Sequence, residues 1–425
     1  MQHAGRYSDY DEVEQFAFGR LAGAANSPMV AAMNVMAHGE ALDGNAYEVD
    51  GNHLTLLPSG PDRLAALLDL IDSARQRVDL CFYIFVDDVA GRAVIDALID
   101  ACNRDVIVTL LVDAFGSAFT PTALFQPLID AGARFGYFGK KRSTRYLIRN
   151  HQKMVVADCR HAMVGGFNIE TSYFAEETDQ AGWRDLGLDI KGPLAADLCR
   201  WFDPLAEWTL SDKQSFRTLR HMVRDWDMGD GKASWLVGGP TRRLNRWAHR
   251  VKRDLDHGMQ LDMVEAYFSP GWAMVRRMNR VARRGVARIV LPMYSDNHAT
   301  IGASRHLYRR LLRAGHSIFE YRRQKLHTKL IVIDDVAYVG SANFDMRSLF
   351  LNVELMLRID DPAFAQAARE QVQAHVEKSS LIDQTTYQRM ARPFSRLRWW
   401  FSFLLVGVLD YTVTRSLNTR RRKPR

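Results

Sequence analysis

An internal repeat is the feature that most constrains the fold of this 425-residue chain. The pattern H-x-K-x-x-x-x-D occurs twice, and the two histidines are about 176 residues apart. Its residues in the two copies are His151, Lys153 and Asp158, and His327, Lys329 and Asp334. Two small residues and an asparagine follow each copy: Gly165, Gly166 and Asn168, then Gly340, Ser341 and Asn343. One copy alone is a weak signal, but two copies with matching residues downstream make coincidence a poor explanation.

The repeat extends upstream of both motifs. Segments 77–85, 105–113 and 128–138 parallel segments 258–270, 286–296 and 311–321. These apolar runs are short, bounded by turn residues and rich in branched and aromatic side chains, which predicts buried strands, and amphipathic stretches between them predict helices. Strand–helix alternation predicts an α/β fold. A period this long predicts two fused copies of one domain related by a pseudo-twofold axis, not a solenoid.

The net charge of +8 indicates an anionic partner, which is a membrane surface, nucleic acid or a phosphorylated substrate. A generally basic soluble protein is the alternative. The four cysteines form no C-x-x-C pair, so we expect core thiols in a reducing compartment. The N-terminus is polar and acidic and does not resemble a signal peptide, which predicts a cytoplasmic catalytic body.

The C-terminal segment has a different composition. An apolar run from Trp399 to Leu409 is shorter than the ~20 residues that a spanning helix needs. Arginines flank its tryptophan pair, and basic residues close the chain from Arg420 to Arg425. Aromatic side chains with flanking arginines favour an interfacial segment on an anionic leaflet. A helix docked on the protein body with a solvated basic tail is the alternative.

The spacing of the motif suggests its chemistry. Histidine and lysine at positions i and i+2 of a strand point to the same face, and a downstream asparagine can add a hydrogen bond. Two such halves facing one another enclose an anion between two cations, which suits a phosphodiester. One histidine would then attack phosphorus and the other would protonate the leaving oxygen. The motif aspartates, Asp158 and Asp334, end their strands and are expected to hold the turns.

These residues resemble the signature of the phospholipase D superfamily. Within it the chain is most similar to bacterial cardiolipin synthases, through "GNHLTLLPSG", "GWRDLGLDIKGP", "AYFSPG", "EYRRQKLHTKL" and "GSANFDMRSLFLNVE". The resemblance runs from about Gly51 to about Val376. It implies an α/β fold of two tandem phospholipase D-like domains, each a mixed β-sheet flanked by helices, related by a pseudo-twofold axis.

The resemblance also implies a ping-pong mechanism. His151 would form a phosphohistidine, and His327 would protonate the departing alcohol and then activate the incoming one. The residues that would hold the phosphate are Lys153, Lys329, Asn168 and Asn343, with the small residues Gly166 and Ser341 beside them. Asp185 would orient His327 and Glu354 would orient His151; the alternative for each is an ordinary surface acid. No metal or cofactor is expected, because the lysines supply positive charge.

Four segments are predicted: an N-terminal extension (1–50), two phospholipase D-like domains (51–215 and 216–390) and a basic, aromatic membrane-associating segment (391–425). The expected partners are a membrane surface and anionic phospholipids, with phosphatidylglycerol as donor and no nucleic acid. The expected location is the cytoplasmic face of the bacterial cell membrane. Hydrolysis to phosphatidic acid, a metal-independent nuclease and a non-catalytic lipid-binding module are the alternatives. The acceptor and the oligomeric state are left open.

Overall fold

The computed structural model describes residues 46–139, 148–227, 229–241 and 244–409. Residues 1–45 of the predicted N-terminal extension and the basic end from Arg420 to Arg425 lie outside the described residues. The predicted division into four segments stays a prediction. Its internal boundary at residue 215 falls between two helices, Pro193–Leu210 and Phe216–Asp225.

The first half is built on a mixed eight-stranded sheet. Its strands are β1 (Tyr47–Val49), β2 (Asn52–Leu57), β3 (Arg77–Phe82), β4 (Ile107–Asp113), β5 (Arg134–Phe138), β6 (Met154–Ala157), β7 (His161–Gly165) and β9 (Gly187–Lys191), and the short β8 (Trp183–Arg184) lies outside it. The spatial order is β1-β2-β9-β7-β6-β3-β4-β5. Strands β3, β4 and β5 are parallel, and the other neighbours are antiparallel.

The second half repeats this sheet. Its strands are β10 (Ala233–Gly238), β11 (Gln260–Glu265), β12 (Phe268–Ser269), β13 (Val286–Pro292), β14 (Ser317–Tyr321), β15 (Lys325–Leu326), β16 (Lys329–Ile333), β17 (Val336–Gly340), β18 (Phe344–Asp345), β19 (Glu354–Asp360) and β20 (Ser379–Ile382). The eight-stranded order is β10-β19-β17-β16-β11-β13-β14-β20. Strands β12 and β18 pair with each other, and β15 pairs with β8 of the first half.

Seven strands correspond between the two sheets. The run β2-β9-β7-β6-β3-β4-β5 matches β10-β19-β17-β16-β11-β13-β14 in order and in the direction of every pairing. The first sheet adds β1 at one edge, and the second adds β20 at the opposite edge. The predicted α/β class and the tandem duplication are therefore confirmed.

Helices cover both sheets. They are α1 (Gly60–Ser73), α2 (Val89–Asn103), α3 (Gln126–Asp130), α4 (Pro193–Leu210), α5 (Phe216–Asp225), α6 (Arg246–His257), α7 (Trp272–Arg284), α8 (His298–Leu312), α9 (Met346–Phe350), α10 (Pro362–Glu377), α11 (Gln384–Met390) and α12 (Pro393–Phe403). Their starts follow ordinary capping rules: the Asp88 carboxylate, for example, accepts from the backbone N–H of Gly91 at the start of α2.

Among the described residues, two parts of the hydrophobic core bear on the position of the motif strands. One part lies between the two sheets and includes the apolar faces of α4 and α10. The other lies within the second half, beneath α6, α7 and α8. Because the inter-sheet core draws on both halves, it holds the ends of the two motif strands in a fixed relation.

The cysteines differ from the expectation. Cys159 and Cys199 form a disulfide, while Cys81 and Cys102 are free. The prediction of four unpaired core thiols is therefore wrong for this pair. Cys159 lies in the turn between β6 and β7 and Cys199 lies on α4, so the bond ties the motif hairpin to the inter-sheet core. Sequence spacing could not reveal a pairing across 40 residues.

The described part of the C-terminal segment is docked on the protein body, as the second alternative predicts, and it also carries exposed apolar side chains. Helix α12 and the π-helical turn Leu404–Leu409 follow one another, and Trp399 and Phe403 are buried against the second half. Other large apolar side chains of the segment face outward: Phe394, Leu397, Trp400, Phe401, Leu405, Val408 and Leu409. Within the described residues, no helix has the length and apolar character required to cross a membrane.

Candidate active site

The two motif histidines share one cavity. It has a volume of about 680 Å³, and His151, His327, Asn168 and Asn343 all line it. His151 and Lys153 immediately precede β6, and His327 and Lys329 stand at the start of β16, so the two motif strands meet end to end at this cavity. All four side chains are buried. The structure thus brings the two copies of the motif together.

Backbone hydrogen bonds between the halves position each histidine. The N–H of His151 donates to the carbonyl oxygen of Val353 at 2.8 Å, and the N–H of His327 donates to that of Arg184 at 2.8 Å. Strand β15, just before His327, pairs in parallel with β8. In each case the next residue along the partner strand is an acid, Glu354 or Asp185. The duplicated topology therefore delivers each acid to the histidine of the other half.

Each histidine is hydrogen-bonded to that acid. Nδ1 of His151 lies 3.1 Å from Oε2 of Glu354, and Nδ1 of His327 lies 2.7 Å from Oδ2 of Asp185. Both carboxylates are buried, so neither is an ordinary surface acid. A carboxylate on Nδ1 fixes the tautomer in which that nitrogen carries the proton. Nε2 of each ring is then the nitrogen available for chemistry.

Burial controls the protonation of the histidines and their acids. It lowers the pKa of His151 to about 4 and that of His327 to about 3, against the opposing effects of Glu354 and Asp185. Burial alone would raise the pKa of each acid. The charges of Lys329 and His327 outweigh it for Asp185, and the charge and hydrogen bond of His151 do so for Glu354, so both carboxyl pKa values are lowered. In the free enzyme both rings are therefore neutral, and both acids are ionised.

The two lysines are buried cations beside the histidines. Nζ of Lys153 donates to the carbonyl oxygen of His151 at 2.6 Å, and Nζ of Lys329 donates to that of His327. Burial lowers the pKa of Lys153 to about 7 and that of Lys329 to about 8, while nearby carboxylates act in the opposite direction. An anion in the cavity would hold both amines in their charged forms.

The two asparagines offer polar atoms to the cavity. Oδ1 of Asn168 accepts from the backbone N–H of Ile84 at 3.2 Å, which orients the side-chain amide. Oδ1 of Asn343 has no hydrogen-bond partner among the described residues, although it is buried. A buried polar atom without a partner costs free energy, so a ligand group that donates a hydrogen bond to Oδ1 of Asn343, such as a hydroxyl, would relieve that cost.

The small residues of the motif contact the acids. A Cβ atom on Gly166 would lie 2.4 Å from Oδ1 of Asp185. The hydroxyl of Ser341 donates to Oε2 of Glu354 at 2.6 Å. Neither residue is among those that line the cavity. This placement favours a role in seating the acids over the predicted contact with phosphate.

The motif aspartates lie at the far end of their strands from the cavity. Asp158 follows β6, and its carboxylate accepts from the backbone N–H groups of Arg75, Gln76 and Arg77 at 2.7–2.9 Å. Asp334 follows β16 and accepts in the same way from Gln260 at 2.8 Å. Both adopt positive φ. They tie each motif hairpin to the start of the neighbouring strand in its sheet, which is β3 or β11, as expected for turn residues. This placement removes them from the reacting groups.

Aromatic rings around the histidines were not identified from the sequence. Tyr83 packs against His151 with ring centroids 4.9 Å apart. Tyr173 and Trp183 pack against His327 at 5.1 and 5.4 Å. A tyrosine shortly after the first strand of each repeat, Tyr83 or Tyr267, is the signal that would have found part of this set. These rings supply much of the burial that keeps the imidazoles neutral.

Among the residues that the structure describes, no group of three or more His, Cys, Asp and Glu side chains is arranged to hold a metal ion. The groups that line the cavity include the two imidazoles, the amides of Asn168 and Asn343, and charged side chains of both signs, which are Arg149, Arg347, Asp296 and Asp345. Neither motif lysine is among the lining residues. This arrangement can attack, protonate and neutralise a phosphodiester with the side chains of the chain itself.

Comparisons with known proteins agree with the duplicated site. The family model described as cardiolipin synthase, PLD-like domain, matches residues 67–193 and 253–376, one match in each half. The chain is 30% identical over 341 residues to cardiolipin synthase B of Salmonella typhimurium, covering 76% of this chain and 80% of that protein. It is 27% identical over 362 residues to cardiolipin synthase B of Escherichia coli, covering 83% and 85%.

A solved structure has the same fold. Phosphatidylserine synthase of Haemophilus influenzae superimposes with a TM-score of 0.67 and 16% identity, over 84% of this chain and 95% of that chain. At that identity the likeness concerns the fold alone. The family-model match covers more than half of the chain and coincides with the two motif-bearing halves. The chain therefore belongs to the phospholipase D superfamily and, within it, to the cardiolipin synthase family of phosphatidyltransferases.

Proposed function

We propose that this protein transfers a phosphatidyl group from phosphatidylglycerol to the hydroxyl of a second lipid, through a phosphohistidine on His151. The observation that carries the proposal is the pair of histidines facing one cavity, each held on Nδ1 by a buried carboxylate of the opposite half. Such a pair supplies a nucleophile on one side of a phosphorus atom and a proton donor on the other. The curated relatives are named cardiolipin synthase, which agrees with this chemistry.

In the first half-reaction, Nε2 of His151 attacks phosphorus and the bond from phosphorus to the glycerol oxygen breaks. Protonated His327 gives its proton to that oxygen, and glycerol leaves. Burial keeps His327 neutral in the free enzyme. The anionic phosphodiester places a negative charge beside the ring, which favours the imidazolium that the step needs. Asp185 stabilises that imidazolium through Nδ1.

In the second half-reaction, the hydroxyl of the acceptor attacks phosphorus and the bond from phosphorus to Nε2 breaks. Neutral His327 now removes the proton of the attacking hydroxyl. Lys153, Lys329, Asn168 and Asn343 balance the charge on the non-bridging oxygens in both steps. The two half-reactions return both histidines to their starting protonation states, so the cycle balances.

The mouth of the cavity supports a membrane substrate. Leu405 and Val406 of the C-terminal segment line the cavity, and the neighbouring apolar side chains of that segment face outward. A lipid could enter the cavity from a bilayer in which this segment rests. We therefore propose peripheral association with the bacterial cell membrane, with anionic phospholipid as the partner. The proposed cytoplasmic face is tested by the redox state of Cys159 and Cys199 in cells, since a persistent disulfide indicates an oxidising compartment.

The test is lipid mass spectrometry after incubating the purified protein with phosphatidylglycerol vesicles in the presence of a chelator. Matched controls are His151→Ala and His327→Ala. We expect cardiolipin and free glycerol from the wild type and neither product from the His151 variant.

Two other outcomes would contradict transfer. Phosphatidic acid as the sole lipid product would make the protein a hydrolase. Cleavage of DNA in the same buffer, without any lipid product, would make it a nuclease.

A further inference from the structure

A second cavity lies beside the C-terminal part of α8, and neither motif histidine is among its lining residues. It has a volume of about 950 Å³ and lies between α7, α8 and the α11–α12 region. Residues near the start of α8 line the catalytic cavity, whereas His306, Arg309 and Arg310 further along the helix line this one. The two cavities share no lining residue. We call the second cavity the arginine pocket.

Six arginines give the pocket its charge. They are Arg276, Arg283, Arg309, Arg310, Arg313 and Arg396. No aspartate or glutamate lines the pocket in the described part of the chain. None of the six takes part in an ion pair between described residues, whereas Arg277 and Arg280 of α7 both pair with Asp256. The pocket therefore concentrates positive charge that no acidic side chain of the described residues neutralises.

Several of these guanidinium groups lie close enough to Tyr387 for their charges to act on its hydroxyl. Burial raises the pKa of its hydroxyl, and the positive charges of Arg396, Arg309 and Arg313 act in the opposite direction. Arg309 and Arg313 lie at the end of α8 and Arg396 lies on α12, and the charges of all three act on this one hydroxyl. Like charges gathered in this way repel one another, and a bound anion removes the repulsion. Guanidinium groups are also well suited to phosphate, which they can bind through two parallel hydrogen bonds.

Aromatic and apolar side chains form the remainder of the pocket. The guanidinium of Arg310 lies 4.3 Å from the ring centroid of Trp272. Trp399 is buried on the inner side, whereas Trp400, Leu397 and the neighbouring Phe394 are exposed, Phe394 by 82%. A soluble anion would leave these apolar side chains in water. A lipid bilayer would cover them while its head groups reach the arginines.

We propose that the arginine pocket is a second, non-catalytic site that binds the phosphate of an anionic phospholipid head group at the membrane surface. It contains no histidine–carboxylate pair and none of the motif residues, so it binds without reacting. Because α12 leads directly into Leu405 and Val406, occupation of the pocket would hold the mouth of the catalytic cavity against the bilayer. The inference does not rest on the proposed reaction.

The test is sedimentation of the full-length protein with vesicles of phosphatidylcholine containing phosphatidylglycerol. The pocket variant is Arg309→Gln with Arg313→Gln. The matched control is Arg217→Gln with Arg253→Gln, which removes the same charge from exposed positions outside the pocket. We expect the pocket variant to bind at least about tenfold more weakly and the control less than about threefold more weakly. If thermal unfolding shows that the Arg309→Gln, Arg313→Gln variant is misfolded, the variant Arg283→Gln with Arg396→Gln takes its place.

Three results would overturn the proposal. Equal weakening by the pocket and control variants would mean that only the general surface charge matters. Release of the wild type from vesicles by millimolar inorganic phosphate, at constant ionic strength, would assign the pocket to a soluble phosphate. Tighter binding of duplex DNA than of vesicles, lost in the pocket variant alone, would assign it to nucleic acid.

Discussion

The two halves of the molecule place corresponding motif residues alike but support them differently. In the second half, Glu354 accepts hydrogen bonds from the hydroxyls of Ser341 and Ser348, each at 2.6 Å, in addition to its contact with His151. In the first half, Asp185 is a shorter acid that accepts from the backbone N–H of Leu186 at 2.7 Å, with Gly166 beside it. Duplication thus fixes where the groups lie, and local substitutions give each histidine its own environment.

The lysines show the same divergence. Glu265 ends β11 directly opposite Lys329, whereas Phe82 ends the equivalent strand β3. Glu265 is buried, and burial raises its pKa well above the usual range. Burial lowers the pKa of Lys329, and Asp185 and Glu265 act in the opposite direction. The two halves therefore differ in the carboxyl groups that surround their lysines, which is consistent with unequal tasks for the two histidines.

The largest expected effect separates nucleophile from acid. His151→Ala should abolish transfer, with a loss above the roughly 10²–10⁴-fold typical of acid–base groups, because the covalent route disappears. His327→Ala should reduce the rate of transfer between lipids by about 10²–10⁴-fold. It should still form the phospho-enzyme from a 4-nitrophenyl phosphodiester, because that leaving group needs no proton. A burst of 4-nitrophenol measures this. A burst from the His151 variant and none from the His327 variant would show that His327 is the nucleophile and His151 the proton donor.

The two carboxylates, Asp185 and Glu354, should differ in the same way in which step of the reaction they affect. We expect Asp185→Asn and Glu354→Gln each to reduce transfer between lipids by about 10²-fold or more, because each removes the negative charge that fixes and stabilises an imidazole. With the 4-nitrophenyl substrate, only Glu354→Gln should slow the burst, since Asp185 acts through the proton donor. Equal slowing of the burst by both variants would show that the acids are not specialised.

The small residues beside the acids give a third, smaller contrast. Gly166→Ala puts a methyl group 2.4 Å from the Asp185 carboxylate, so that acid must move. We expect about a tenfold to hundredfold loss of kcat, as displaced catalytic groups commonly cause. Ser341→Ala leaves Ser348 on Glu354 and should cost less than about tenfold. Steady-state kinetics with vesicle substrates measures kcat for both variants. A larger loss of kcat in Ser341→Ala than in Gly166→Ala would contradict this prediction.

The pH dependence should report the lysines. Both amines are protonated below their pKa values of about 7 and about 8 and lose charge as the pH rises through them. Protonated His327 is also required, so we expect kcat/KM to decline with rising pH and to decline more steeply near the lysine pKa values. Glu265→Gln removes the carboxyl that raises the pKa of Lys329 and should move the decline to lower pH. A flat profile up to pH 10, in both proteins, would be inconsistent with this account.

The disulfide should have the smallest effect on turnover. Cys159→Ala with Cys199→Ala leaves the cavity intact, so kcat should change by less than about twofold, while the free energy of unfolding should fall by about 2–4 kcal/mol. Denaturant titration with and without reductant measures the second quantity. Identical unfolding curves for wild type and variant, both without reductant, would show that the bond is absent in solution.

Part of this account was accessible from the sequence. The repeat predicted the duplicated α/β fold, because strand runs of matching length must form matching sheets. The motif also predicted which histidines, lysines and asparagines would meet. The hydrogen bonds of Asp185 and Glu354 agree with the expected pairing, although their roles await the experiments above.

The remaining features depend on tertiary contacts that no local pattern encodes. Trp183 reaches His327 only because β8 pairs with β15 across the two halves. The arginine pocket draws on helices separated by more than a hundred residues, in a chain where arginine is common throughout. Gly166 has its role because of a side chain that approaches from a neighbouring strand, which spacing alone cannot predict.

The most direct test of the central claim is to trap the covalent enzyme. The protein is mixed with phosphatidylglycerol vesicles, quenched within its first turnover at alkaline pH, where phosphohistidine survives, and digested for mass spectrometry. The account predicts a phosphatidyl group on the peptide that contains His151 and no adduct in the His151→Ala variant. An adduct on His327, or full turnover by the His151 variant, would contradict it.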